Sequence, residues 1–155
     1  MDMQPFSIRA LGPDETPLMR RMLRMFGEAF GDMEAYSSKP PTDAYLRGLL
    51  ASPHFIALAA VKSDDVVGGL AAYELIKFEQ QRSEIYIYDL AVDERHRRQG
   101  IATALKRTQL AWAAQTGVRE LVTRTQKGNE PMQELNRKLG YVDRSRLITF
   151  EGPLP

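Results

Sequence analysis

The residues with the clearest chemical potential lie between Tyr88 and Leu105. Within that stretch Arg97-Arg98-Gln99-Gly100-Ile101-Ala102 fits the pattern Arg/Gln-x-x-Gly-x-Gly/Ala, at the end of an apolar strand and the start of a helix. Free amides at a helix N-terminus point outward, the helix dipole favours negative charge there, and glycine lets a phosphate approach the backbone. A diphosphate is the natural guest of such a cradle. From Arg95 to Arg119 there are six Lys or Arg and no acid, which favours a phosphorylated ligand. A solvated basic helix start is the plainer alternative, and a charged helix face accounts for Lys106 and Arg107 equally well. Just upstream, strand alternation puts Glu84, Tyr86 and Tyr88 on one face and Ile85, Ile87 and Asp89 on the other. Asp89 is then a lone carboxylate on an otherwise apolar face.

The elements that must hold these residues follow from periodicity. Phe6, Ile8 and Ala10 alternate with polar residues as a half-buried strand does. Thr16-Pro17 suits a helix start, and Met19, Leu23, Phe26 and Phe30 then share one face. Gly27, Gly31 and Lys39-Pro40-Pro41 weaken helical order after about residue 30, and Thr42 can cap a second short helix carrying Leu46, Leu49 and Leu50. Three apolar runs, 55–61, 66–76 and 84–92, are separated by short polar links and read as an antiparallel meander. A helix with Ile101, Leu105, Thr108 and Trp112 on one face ends near Gly117, and 120–125 reads as a strand, which makes a β-α-β crossover. A last helix from about Asn129 to Leu139 and at least one strand within Val142 to Phe150 complete a mixed α+β domain. The expected order is β-α-α-β-β-β-α-β-α-β in a single domain over 1–155.

Composition bounds the function. A chain of 155 residues suits one domain with a full core. The absence of cysteine excludes a disulfide framework, a thiolate metal site and a cysteine nucleophile, and two histidines, His54 and His96, cannot build a multi-histidine zinc site. No metal is expected. The net charge of +1 argues against a surface built for nucleic acid, and no apolar run approaches the roughly 20 residues of a membrane span. With no signal-like N-terminus, a cytoplasmic protein is the expectation. The near-neutral total conceals two opposed stretches, since residues 25–38 carry three acids and no base while 95–119 carry six bases and no acid.

The strand, Gly-bearing loop and helix over 84–105, with the element order around them, resemble the GCN5-related N-acetyltransferases. That resemblance implies acetyl-CoA as the donor, its pyrophosphate held by amides of Arg97, Arg98, Gln99, Gly100, Ile101, Ala102 and Thr103. It also implies pantetheine along the backbone of Leu90, Ala91 and Val92, where the family's parallel strands splay apart. Asn129 sits where the family often places an asparagine near pantetheine, and a helix cap is the alternative. A narrower resemblance covers about residues 11–105. Phe30-Gly31-Asp32, Tyr36-Ser37, Phe55-Ile56-Ala57-Leu58-Ala59-Ala60, Lys77-Phe78-Glu79-Gln80 and Arg82 to Val92 are similar to the aminoglycoside 3-N-acetyltransferases of the gentamicin-modifying type. It implies acetylation of the 3-amino group and antibiotic resistance, with a homodimer possible. From Lys106 onward the ending resembles acetyltransferases more generally. There Asn136 occupies the position of the tyrosine that protonates the departing thiolate in many relatives, and an amide cannot serve as that acid.

A cationic acceptor calls for carboxylates and aromatic rims. The candidates are Glu28, Asp32, Glu34 and Tyr36 in one segment and Glu79, Glu84 and Tyr88 in another. Beside the implied thioester, Asp89 would bind the attacking ammonium and take its proton; capping a β-bulge or pairing with an arginine are its alternative roles. Two other functions fit the same motifs: acetylation of another small amine or a protein amino terminus, and a silent acyl-CoA-binding domain.

Overall fold

The computed structural model describes residues 5–154. Five strands, β1 (Ser7–Ala10), β2 (Phe55–Lys62), β3 (Asp65–Ile76), β4 (Ser83–Val92) and β5 (Val118–Thr123), lie side by side in chain order. The first four are joined antiparallel, and β5 runs parallel to β4. Ser63 and Asp64, both with positive φ (48° and 67°), close the two-residue link between β2 and β3, the backbone sense that matches strand twist in tight hairpins.

Both faces of the sheet are covered, which explains the near-continuous apolar runs. On one face lie α1 (Thr16–Phe30) and α3 (Asp43–Ala51), whose Met19, Met22, Phe26, Leu46 and Leu50 pack on Ala57, Ala59, Ala71 and Ala91. The sheet is lined with small residues here so that the helix can approach: a Cβ on Gly69 would stand 2.6 Å from Met22 Sδ. On the other face lies α4 (Ile101–Ala114), with Ile101, Leu105 and Ala113 against Leu58, Ala60, Leu70, Ile85 and Ile87.

The α1 start differs from expectation in detail, since Thr16 is already helical and Glu15 holds the cap position without a side-chain bond. Thr42 does cap α3, its hydroxyl accepting from Tyr45 N at 3.1 Å. Beyond Gly31, where φ is 64°, the chain forms an additional short helix, α2 (Met33–Ser37), capped by Asp32. Helical order expected to weaken after about residue 30 is interrupted at Gly31 and resumes in this short helix.

The chain divides into two compact units, Met1–Arg124 and Thr125–Pro155. In the second, α5 (Glu130–Lys138) starts at Asn129, whose side chain accepts from Met132 N at 3.3 Å. The strand expected within Val142 to Phe150 does not form among the described residues, so the order is β-α-α-α-β-β-β-α-β-α. Asp143 Oδ1 accepts from Ser145 N at 3.0 Å, a local turn that competes with an extended ladder. Val142, Leu147, Ile148 and Phe150 are left exposed.

Candidate active site

Pairing between β3 and β4 holds an irregularity that decides the site. Ala71 faces Asp89 and Ala72 faces Ile87, so Tyr88 is a surplus residue in β4. A bulge of this kind breaks the two-residue alternation. Asp89 therefore does not share a face with Ile85 and Ile87, as alternation alone predicts. Those isoleucines pack under α4, whereas Asp89 and Tyr88 both turn to the α1 side and line one cavity there.

That cavity measures about 310 Å³ and is walled by Phe26, Tyr36, Tyr45, Phe55, Tyr73 and Tyr88, with Asp89 as its carboxylate. Ring contacts tie the wall together: Phe55 to Tyr73 at 5.4 Å, and Tyr73 to Tyr88 edge-on at 5.9 Å. Tyr36 reaches in from α2 and donates its hydroxyl to Asp89 Oδ2 at 2.7 Å. Burial pushes the Asp89 carboxyl above the usual range, and the Tyr36 hydrogen bond opposes that shift. Burial and the donation to Asp89 push the Tyr36 phenol strongly up, so it stays protonated and remains a donor. Of the two alternative roles for Asp89, the bulge is present but the carboxylate's partner is a phenol rather than an arginine.

Of the acceptor-side candidates, the fold brings Tyr36 and Tyr88 to the cavity with Asp89. The acids have other partners: Glu28 pairs with Arg24 at 3.1 Å, and Asp32 caps α2. Glu79 and Glu84 share a cluster with Lys77 and Arg82, the closest contact being Arg82 to Glu84 at 2.8 Å. Glu34 lies exposed in the first turn of α2. Tyr45, Phe55 and Tyr73 were not singled out by the sequence, because within apolar runs an aromatic reads as core. Counting from the two-residue link would put Phe55 opposite Ala72; a register shift at Ala60 and Val61 makes Tyr73 its partner.

The cradle takes shape at the far end of β4. Pairing with β5 ends at Ile87 opposite Thr123, while pairing with β3 continues to Val92. Among the described residues no strand pairs with the β4 backbone from Tyr88 to Val92 on the β5 side. After a single 3-10 turn (Glu94–His96), Arg98 and Gly100 adopt left-handed backbone, with φ 62° and 78°. Backbone of this kind turns successive amides outward as an anion nest. No side chain caps α4, and a Cβ on Gly100 would meet nothing within 4 Å. The loop is open where a diphosphate must approach, so these residues fit the pyrophosphate of an acyl-CoA. Among the described residues no cluster of acids and histidines could hold a metal ion, and no helix is long and apolar enough to cross a membrane.

The model of the acetyltransferase (GNAT) family matches residues 19–141. The chain belongs to this family. Among curated proteins, this acetyltransferase is 30% identical over 125 residues to aminoglycoside N(6')-acetyltransferase type 1 of Serratia marcescens, covering 77% of this chain and 86% of that protein. Among solved structures it is similar to an aminoglycoside acetyltransferase from an uncultured soil metagenomic sample, with 47% identity, a TM-score of 0.91, and 97% and 99% of the two chains covered. A second soil metagenomic aminoglycoside acetyltransferase, solved in complex with sisomicin, has 25% identity and a TM-score of 0.87, with 97% of each chain covered.

Within the second unit of the acetyltransferase, Asn136 is buried and its amide donates to Thr125 Oγ1 at 3.0 Å. Asn129 caps α5 through its side chain.

Proposed function

We propose that this acetyltransferase transfers the acetyl group of acetyl-CoA to an amino group of an aminoglycoside. The observation that carries the reading is the position of Asp89, at the foot of an aromatic cavity and one residue before the open backbone of Leu90 to Val92. Similarity to aminoglycoside acetyltransferases over almost the whole chain supports the substrate class. The family match spans most of both compact units, which supports treating them as one catalytic domain.

When bound, acetyl-CoA supplies an activated thioester. The amides of Arg97 to Thr103 hold its pyrophosphate and the open edge of Leu90 to Val92 holds its pantetheine. Asp89 holds the acceptor's ammonium by charge, and the tyrosine rings around it offer their faces to the same cation. The ammonium first gives one proton to the Asp89 carboxylate, directly or through water, and the free amine then attacks the acetyl carbon and sheds its second proton as the carbon–sulfur bond breaks. A backbone amide near Leu90 to Val92 steadies the oxyanion. With Asn136 in place of a tyrosine, the sulfur leaves as a thiolate or takes its proton from water or from another tyrosine. No cysteine exists to carry the acetyl group, so transfer is direct.

The resemblance over residues 11–105 favours the 3-amino group, and the Serratia relative is named for the 6'-amino group. We retain the 3-amino position of gentamicin-type drugs as the reading under test. A homodimer belongs to the same proposal, supported by the exposed apolar Leu147, Ile148, Phe150 and Leu154. Thiol release from acetyl-CoA is measured with gentamicin-type, kanamycin-type and non-aminoglycoside amines, and the acetylated position is read by NMR. Turnover with aminoglycosides and a 3-N-acetyl product support the reading. A 6'-N-acetyl product overturns the position alone, and turnover confined to other amines overturns the substrate class.

A further inference from the structure

Asp89 has a narrow task if it is the proton acceptor of the transfer. It must be ionised when the ammonium arrives, in a half-buried setting that favours its neutral form. Among the described residues no Lys, Arg or His lines its cavity. The polar groups that face it are phenols: Tyr36 from α2, Tyr45 from α3, Tyr73 from β3 and Tyr88 from β4 itself. From α1 the lining is the apolar Met19, Leu23 and Phe26. Of these phenols, Tyr36 is the one that donates to the carboxylate, at 2.7 Å.

The Tyr36 ring is itself held. It lies 6.1 Å from the Phe26 ring and 5.7 Å from that of Phe30, both on α1. The short helix that carries it fits over Gly27, where a Cβ would stand 2.8 Å from Met33 Sδ and 3.2 Å from Tyr36 Cβ. Asp32 fixes the helix start through Ala35 N at 3.1 Å. A five-residue helix at the cavity rim is thus built to present one hydroxyl.

We propose that Tyr36 is a positioning residue that acts through Asp89, aiming the carboxylate into the cavity and keeping it ionised until an acceptor amine replaces the phenol as its partner. This rests on the reading of Asp89 as proton acceptor. A hydrogen bond to the charged form of a carboxyl favours that form, so removal of the hydroxyl makes Asp89 harder to ionise. The chemistry of the step is unchanged: the proton still moves from nitrogen to Asp89, and Tyr36 gives up none.

The test compares Tyr36→Phe with the unaltered full chain, since phenylalanine keeps the ring between Phe26 and Phe30. The Asp89 carboxyl is titrated by carbon-13 NMR in the free protein, and kcat/KM for sisomicin acetylation is followed from about pH 5 to 9, a range that brackets general-base titration. The expected result is a rise of about one pH unit in the Asp89 titration, the size of shift that loss of one charge-assisted hydrogen bond gives. The acid limb of kcat/KM should rise by the same amount, with roughly tenfold lower kcat/KM well below it and near recovery above about pH 8. An unmoved Asp89 titration overturns the proposal whatever the activity, and a moved titration with an unmoved acid limb overturns the positioning role. Asp89→Asn run alongside keeps the two readings apart: full turnover in that variant removes Asp89 as base, whereas its loss with an unmoved Tyr36→Phe titration removes Tyr36 alone.

Discussion

Gly68 of β3 and Ile101, the first residue of α4, meet so closely that a Cβ on the glycine would lie 2.6 Å from the isoleucine Cγ2. The start of α4 therefore rests on backbone, and the height of the cradle above the sheet is set by a missing side chain. Gly68→Ala should cost about 1–3 kcal/mol, as overpacking of a core does. It should also raise KM for acetyl-CoA several-fold. In an Ile101→Ala background the same substitution should cost less, which a double-mutant cycle by denaturant unfolding would read.

Asp89→Asn should lower kcat/KM by roughly 100-fold or more across the pH range, because an amide cannot take the acceptor's proton. Melting temperature should change little, since the carbonyl oxygen of the substituted amide can still accept from the Tyr36 hydroxyl. Steady-state thiol release with a fixed aminoglycoside checks the first statement and a thermal melt the second.

Gly100 carries φ 78°, a conformation that disfavours any Cβ. Gly100→Ala should destabilise the protein by about 1–2 kcal/mol through backbone strain. The new methyl group points into open space, where the proposed function puts the pyrophosphate, so CoA affinity measured calorimetrically should drop by more than stability does.

Lys106 is fully buried on α4, and burial pushes its ammonium down from the ordinary 10.5 to about 8. Between those values the unfolded chain binds a proton that the folded chain has released, so stability rises with pH across that window. Below about pH 8 both states are protonated and the full penalty of the buried charge is present. Lys106→Met should flatten the rise between about pH 8 and 10.5 relative to the unaltered protein, measured by urea unfolding at successive pH values.

The meander and the crossover were legible in the sequence because each has a local cause: long apolar runs bounded by polar turns, and a glycine between strand and helix. The loop Arg97 to Thr103 was legible for the same reason, and the structure gives Gly100 the left-handed backbone that only glycine adopts freely. The face of Asp89 was not. Alternation is a rule for unbroken ladders, and the surplus residue Tyr88 arises from how β4 meets β3, a relation between segments rather than a property of either one. The aromatic wall was hidden in the same way, since Phe55, Tyr73 and Tyr45 converge from three elements. The final strand failed for an opposite reason: Arg146 to Phe150 has the composition of a strand, but its unit contains no other strand among the described residues to pair with.

The bulge at Tyr88 also bears on how such a chain can change its repertoire. It turns Asp89 towards the cavity through main-chain geometry, with no demand on the identity of the neighbouring rings. Tyr45, Tyr73 and Phe55 hang from other elements, so each can be exchanged without shifting the strand that bears the carboxylate. On the proposed reading of Asp89, acceptor preference and proton transfer are thereby inherited separately, and a few substitutions in the rings offer a short evolutionary path from one amine to the next.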